Sequence, residues 1–232
     1  MSATNRGAIR RESDFYRTPP EAINTFLDAF EFMPFRYIIE PCAGDGAIVR
    51  ELAKRTRKPK SFITAIEIRA EEKQNLIEAG ADQVIIGNFY EFSGRDPKPD
   101  IIITNPPYSI AQEIIEHCFE IAPDAEVIML LRQGFLSSKA RKPFWDKHPV
   151  TQFYPLVERP SFGASVKCKK CDWRRFYHPG EDYPRRCPEC GANIQVSKTD
   201  ACDYAWFVWS KYREQKIEVI TRRDEDGGRH EQ

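Results

Sequence analysis

The chain has 232 residues, 41% hydrophobic and 12% aromatic, enough for the core of one α/β domain or one domain with a small insertion. Its 35 basic and 35 acidic residues cancel, which excludes a uniformly basic nucleic-acid-binding chain and leaves only local patches for such contacts. No apolar run approaches a membrane span and the polar N-terminus lacks a signal-peptide pattern, so a cytoplasmic protein with no membrane partner is expected.

Residues 1 to 13 are polar and basic (Arg6, Arg10, Arg11) and read as a disordered arm. In Tyr16-Arg17-Thr18-Pro19-Pro20-Glu21, Thr18 suits an N-cap with Pro19 at the first helical position. This predicts a helix over 19 to 32 that buries Ile23, Phe26, Leu27 and Phe30 and is broken by Pro34. Residues 35 to 40 form the first predicted strand, followed by Pro41-Cys42-Ala43-Gly44-Asp45-Gly46 and a helix carrying Ile48, Val49 and Leu52. Glycines at 44 and 46 let backbone approach a ligand closely. Val49 stands where a dinucleotide fingerprint wants a third glycine, which favours a nucleoside cofactor without pyrophosphate.

A second strand, 61 to 67, ends in Glu67, 21 residues after Gly46; at that separation a second-strand carboxylate reaches ribose hydroxyls. A helix over 70 to 79, closed by Gly80, leads to strand 84 to 86 and to Gly87-Asn88-Phe89, an amide and a ring suited to an adenine. The fourth strand, Asp100-Ile101-Ile102-Ile103-Thr104, must end at Asn105-Pro106-Pro107-Tyr108, because proline donates no amide hydrogen. The tandem prolines stiffen the loop and hold Asn105 extended. The Asn105 side-chain oxygen and the Pro106 carbonyl can accept both hydrogens of an exocyclic amine, favouring the pyramidal nitrogen that attacks an electrophile. Tyr108 can stack on the ring that carries it. A helix over 109 to 121 buries Ile110, Ile114, Ile115, Cys118 and Phe119, with His117 a packing residue. Strand 125 to 131 and its exit loop from Arg132 follow, and alternating strands and helices predict a parallel sheet. Tyr204 to Trp209 reads as a buried central strand with Ile217 to Thr221 as its neighbour, and 222 to 232 as a disordered tail.

Four of the seven cysteines form Cys168-x-x-Cys171 and Cys187-x-x-Cys190, 15 residues apart, the spacing of a structural four-cysteine zinc ribbon. His178 lies between the pairs but the four thiolates already complete a tetrahedral shell. Residues 165 to 198 carry eight basic against four acidic side chains. Trp173, Arg174, Arg175, Arg185 and Arg186 are therefore candidate nucleic-acid contacts, as is Tyr108 for an unstacked base.

These motifs resemble the amino-group class of S-adenosylmethionine-dependent DNA methyltransferases, most of all small phage-type N6-adenine enzymes. The resemblance rests on Tyr16-Arg17-Thr18-Pro19-Pro20, Ile39 to Gly46, Glu67, Gly87-Asn88-Phe89, Asn105-Pro106-Pro107-Tyr108, Arg159-Pro160-Ser161-Phe162 and Asp203 to Trp209. It implies a class I, Rossmann-like, mostly parallel seven-stranded sheet with helices on both faces. The catalytic domain would span 14 to 163 and 199 to 221, with the zinc ribbon inserted at 164 to 198. It implies a cofactor site of Tyr16, Thr18, Pro19, Glu40, Pro41, Cys42, Ala43, Gly44, Gly46, Glu67, Ile68, Asn88, Phe89 and Asn105. The Thr18 region and the glycines would hold the methionine end, Glu67 the ribose, and Asn88 and Phe89 the adenine. Asn88 departs from the aspartate these enzymes often carry. Methyl transfer to adenine N6 in DNA, on a flipped or single-stranded base, is the expected reaction, with Asn105 to Tyr108 as its catalytic loop. Cytosine N4 transfer, RNA adenine or guanine methylation, protein glutamine methylation and an inactive zinc-ribbon binding protein are the alternatives.

Overall fold

A computed structural model of the chain describes residues 17–31, 36–55, 61–94, 96–177, 181–197 and 202–222. The predicted arm, Tyr16, Pro34, His178 and the predicted tail beyond Arg222 lie outside the described residues. The first helix, α1 (Pro20–Ala29), is shorter than predicted at both ends. Pro19 is its N-cap and no side chain caps it; the Thr18 hydroxyl is engaged with Asn105 instead. Phe30 leaves the helix in an extended conformation yet stays buried, stacked on Phe26 at 5.0 Å.

The chain continues through β1 (Arg36–Pro41), α2 (Ala47–Arg55), β2 (Ser61–Glu67), α3 (Lys73–Ala79), β3 (Gln83–Ile86), β4 (Ile101–Thr104), α4 (Ala111–Ile121), β5 (Glu126–Arg132), α5 (Lys142–Lys147) and β6 (Gln152–Pro155). Then β7 (Ala164–Cys168), β8 (Arg174–Tyr177) and β9 (Ile194–Ser197) form a small sheet of their own, before β10 (Tyr204–Trp209) and β11 (Lys216–Ile217) return to the main one.

The main sheet has the order β11-β6-β10-β5-β4-β1-β2-β3. Seven of these strands fall where strands were expected, the last, β11, shortened to two residues, and β6, which the sequence did not announce, makes the eighth. Ile217 was expected beside Tyr204 to Trp209 but pairs with β6, since β5 and β6 already occupy both edges of β10. Alternate residues of each central strand serve opposite faces. Ile38, Ile101, Ile103, Ile128, Leu130 and Trp206 pack against α1, α2 and α3, while Ile39, Ile102, Val127, Met129, Leu131 and Phe207 pack against α4 and α5. Trp206 stacks on Phe26 at 4.7 Å and donates its indole hydrogen to the Ala22 carbonyl at 3.0 Å, so the buried polar atom is satisfied.

The chain runs outward from β1 through β2 to β3, then crosses back to β4 on the other side of β1. This reversal opens a crevice at the carboxyl ends of β1 and β4, between the glycine bend and the Asn-Pro-Pro-Tyr loop. The small sheet hangs from the same edge: Tyr204 at the start of β10 pairs with Arg132 at the end of β5, and Ala205 pairs with Pro155 at the end of β6. No helix among the described residues is long and apolar enough to cross a membrane.

Candidate active site and metal centre

A cavity of about 460 Å³ occupies the crevice. Of the residues expected there, Thr18, Glu40, Cys42, Ala43, Gly44, Glu67, Ile68, Asn88, Phe89, Asn105 and Pro107 line it. The glycine bend and the Asn105 loop thus open onto one space. Gly44 lies at φ +60 and donates its N–H to Glu67 Oε2 at 2.7 Å. The other oxygen of Glu67 accepts from the backbone N–H of Arg69 at 3.1 Å and its Nε at 3.0 Å, so charge-assisted bonds orient this buried carboxylate. Glu40 accepts from the Val49 N–H at 2.9 Å; burial nevertheless pushes its carboxyl well above the usual range. Cys42 adopts φ +58, and burial followed by the carboxylates of Glu67 and Glu40 pushes its thiol up to about 12. It is a neutral, small wall of the cavity at physiological pH, not a nucleophile.

The remaining assignments move. Gly46 lies at φ +80 but does not line the cavity; a Cβ there would stand 2.7 Å from Ala79 Cβ and 3.2 Å from Leu76 Cδ2. It is the point where α2 starts against α3, a packing position. Gly46→Ala is expected to destabilise by about 3 kcal/mol through left-handed backbone strain and overpacking. Thermal melting should fall by roughly 6–12 °C, with cofactor affinity at low temperature little changed. Pro19, Pro41 and Pro106 also stand outside the cavity wall; the Pro41 carbonyl accepts from the Thr104 hydroxyl and ties β1 to β4. Asn88 Oδ1 accepts from the Tyr90 N–H at 3.1 Å and caps the 3-10 turn Phe89–Glu91, so its amide nitrogen is the end left to face a ligand. His117 buttresses that turn, Nε2 lying 3.1 Å from the Phe89 carbonyl and 3.0 Å from that of Phe92.

The sequence reading missed Arg17, Asp45, Arg69, Tyr90, Ser109, Ile110 and Ile114 in this wall. Arg17 and Asp45 form an ion pair at 2.5 Å. Ile110, expected on the buried face of a helix, sits instead in the 3-10 turn Tyr108–Ile110 and is 37% exposed.

Asn105 is held at both ends of its amide. Nδ2 donates to Thr18 Oγ1 at 3.0 Å, and Oδ1 accepts from the Tyr108 hydroxyl at 2.8 Å. Tyr108 turns away from the first cavity and lines a second of about 550 Å³, with Ala111, Leu131, Arg132, Gln133, Gly134, Phe135, Ser137, Ser138, Arg141, Cys202 and Asp203. The Arg132 guanidinium lies 5.0 Å over the Tyr108 ring and its Nε donates to the Tyr204 hydroxyl at 3.2 Å. The loop from Asn105 to Tyr108 is therefore a shared wall. The sequence marked this loop only as the exit from β5; that it closes a cavity over Tyr108 depends on its packing beside α4 and β10.

The four cysteines converge, all sulfurs lying within 4.8 Å of one another. Cys168 and Cys190 are 3.5 Å apart, and Cys171 is 3.6 Å from both Cys187 and Cys190. A zinc tetrahedron with bonds near 2.3 Å has sulfur–sulfur edges of about 3.8 Å, so the set fits the ion. Cys168 Sγ accepts from the N–H groups of Cys171 at 3.3 Å and Lys170 at 3.2 Å, which draw its thiol down to about 6. Such donors stabilise a thiolate ligand. Gly191, at φ +69, lets the second knuckle turn and donates to the Cys187 carbonyl at 2.9 Å. Arg174, Arg175, Arg185 and Arg186 are exposed on this unit. Trp173, expected to meet nucleic acid, is half-buried against the cluster of Ala164, Val166 and Tyr177; a core this small needs its indole.

No protein-family model matches the chain, and no curated protein sequence does. Among solved structures, the chain is similar to the methyltransferase subunit of a type I restriction-modification system from Streptococcus thermophilus, with a TM-score of 0.56 and 13% identity over 89% of this chain and 47% of that one. It is also similar to the 23S rRNA methyltransferase ErmE, with a TM-score of 0.50 and 18% identity over 87% of this chain and 71% of that one. The chain spans about half the length of the restriction-modification subunit. Strand order and these likenesses together establish a class I, Rossmann-like methyltransferase fold with a cysteine cluster set into it.

Proposed function

We propose that the protein is an S-adenosylmethionine-dependent methyltransferase acting on the N6 amine of adenine in DNA, on a base that is flipped out or already single-stranded. The observation that carries this reading is the shared wall: Asn105 faces a cavity of nucleoside size with the glycine bend and Glu67, while Tyr108 faces a second cavity. The first holds the methyl donor, with Glu67 on its ribose and Ile68, Asn88 and Phe89 around its adenine. The second receives the target base. Bound in the first cavity, S-adenosylmethionine supplies the electrophilic methyl group.

The chain's own part is alignment. Asn105 Oδ1 accepts from the Tyr108 hydroxyl at 2.8 Å, and a carboxamide oxygen has two lone pairs. In the reading proposed, Oδ1 and the Pro106 carbonyl accept the two amine hydrogens and turn the nitrogen lone pair toward the donor. Arg132 covers one face of the Tyr108 ring, so a stacked base takes the other face or displaces the guanidinium. Incubation with methyl-labelled donor and DNA, RNA or protein, followed by nucleoside analysis, tests the reading. Label in N6-methyldeoxyadenosine supports it; label confined to cytosine, RNA or protein, or no label, overturns it.

The cysteine unit would hold zinc as a structural ion and present its arginines to phosphates, since it hangs from the sheet edge that carries the second cavity. Arg174→Glu with Arg175→Glu is expected to weaken DNA binding. The slope of log affinity against log salt should fall in magnitude by about 2. Titration at several salt concentrations measures this, and an unchanged slope removes the unit from the interface.

A further inference from the structure

The second cavity has a rim as well as a wall. The 3-10 turn Gln133–Leu136 borders it, and Phe135 and Ser137 line it while Leu136 between them does not. Leu136 stands outside, 42% exposed, and among the described residues it joins none of the apolar clusters. A lone exposed leucine is ordinary on a protein surface, so only its setting can distinguish it.

Two features of that setting do so, and the first is anchorage. Phe135 is buried, its ring nearly perpendicular to those of Phe144 at 6.0 Å, Trp145 at 5.6 Å and Phe207 at 6.2 Å. The Arg141 guanidinium lies 4.5 Å over the same ring and donates to the Phe135 carbonyl at 3.3 Å, while the Ser137 N–H donates to the Gly134 carbonyl at 3.0 Å. The residue before Leu136 thus fixes it at the rim. The second feature is charge. Residues 132 to 147 carry Arg132, Lys139, Arg141, Lys142 and Lys147 against Asp146 alone, and Asp146 is ion-paired with Lys142. The apolar side chain projects from a cationic loop, a composition that a phosphate backbone attracts.

Resting on the methyl-transfer reading, we infer that Leu136 is a wedge: DNA is engaged as a duplex, the target base swings into the second cavity, and Leu136 enters the gap that it leaves. A base that leaves the stack gives up its contacts with the base pairs above and below, and water fills a flat apolar gap badly. An apolar side chain at the mouth of the receiving pocket replaces those contacts and opposes the return of the base. Leu136 touches neither the amine nor the donor, so it is a positioning residue. A separated strand has no paired stack to hold open, and there the wedge has nothing to do.

The test uses the full chain with methyl-labelled S-adenosylmethionine, an amplified unmethylated DNA duplex, and a single strand prepared from it. Initial rates of label entering each substrate give a duplex-to-strand ratio for the native chain, Leu136→Ala and Leu136→Met. Alanine is expected to lower the duplex rate by about tenfold and to leave the strand rate within about twofold. Methionine, apolar and of similar reach, should restore the duplex rate. A merely structural loss would lower both rates together and leave the ratio where it was. That outcome, an alanine variant with native rates, or a native chain that methylates the single strand alone, overturns the wedge and leaves the methyl-transfer reading standing. No label in either DNA from the native chain overturns both.

Discussion

Asn105→Ala is expected to lower the methyl-transfer rate by about 10³-fold or more, while donor affinity stays within about threefold. The asymmetry follows from geometry. Asn105 contributes one part of a cavity wall whose other contacts come from the glycine bend, Glu67 and the turn at 88–90, so the donor loses little. The amine loses the acceptor that turns its lone pair, an interaction that strengthens only as the nitrogen pyramidalises. The buried Thr18 hydroxyl and the Tyr108 hydroxyl each lose a partner, and water entering from the adjoining cavities replaces it at a cost of about 1 kcal/mol of stability. Asn105→Asp keeps an acceptor oxygen and should retain more activity than alanine. Single-turnover rates at saturating donor and DNA, with calorimetry for donor binding, separate the terms. An alanine variant with native turnover would remove Asn105 from the chemistry.

The second large effect concerns the four cysteines. Among the described residues from Ala164 to Ser197, only Ala164, Val166 and Tyr177 form the buried core of the unit's own cluster, far too little to offset the entropy of ordering its chain. In the zinc-ribbon reading, a metal ion held by the four cysteines would supply the difference. Cys187→Ser, at a ligand that is 3% exposed, or prolonged chelation is expected to unfold this unit while leaving the main sheet intact. Elemental analysis should then fall from one zinc per chain to none, and limited proteolysis should cut between 164 and 197. DNA affinity should drop by about tenfold or more, with donor affinity preserved, because no residue of this unit lines the first cavity among the described residues. A unit equally protease-resistant with and without chelator would show that packing alone holds it.

Where local chemistry decides, the sequence reading stands close to the structure. The isoleucines of β4 admit only a buried strand, prolines must end it, and Gly80 ends α3 at φ +101. Where two distant segments compete for one group, it could not. Thr18 looked like a cap because capping is a local bond; in the fold its hydroxyl is bound to an amide 87 positions away. Gly46 looked like ligand space because a glycine's freedom is visible in one dimension and the neighbour that requires it, Ala79, is not.

The chain alone determined that β4 and β10 are buried strands, where prolines and glycines interrupt the chain, and that four thiols at knuckle spacing belong together. Each of these depends on residues within a few positions of one another. The tertiary structure decided that Asn105 and Gly44 face one cavity, that Tyr108 faces another, and that β6, not β10, receives the last strand. The cavities follow from the crossover between β3 and β4, which brings remote strand ends side by side, and the place of the last strand follows from β5 and β6 already flanking β10, neighbours that no local pattern names.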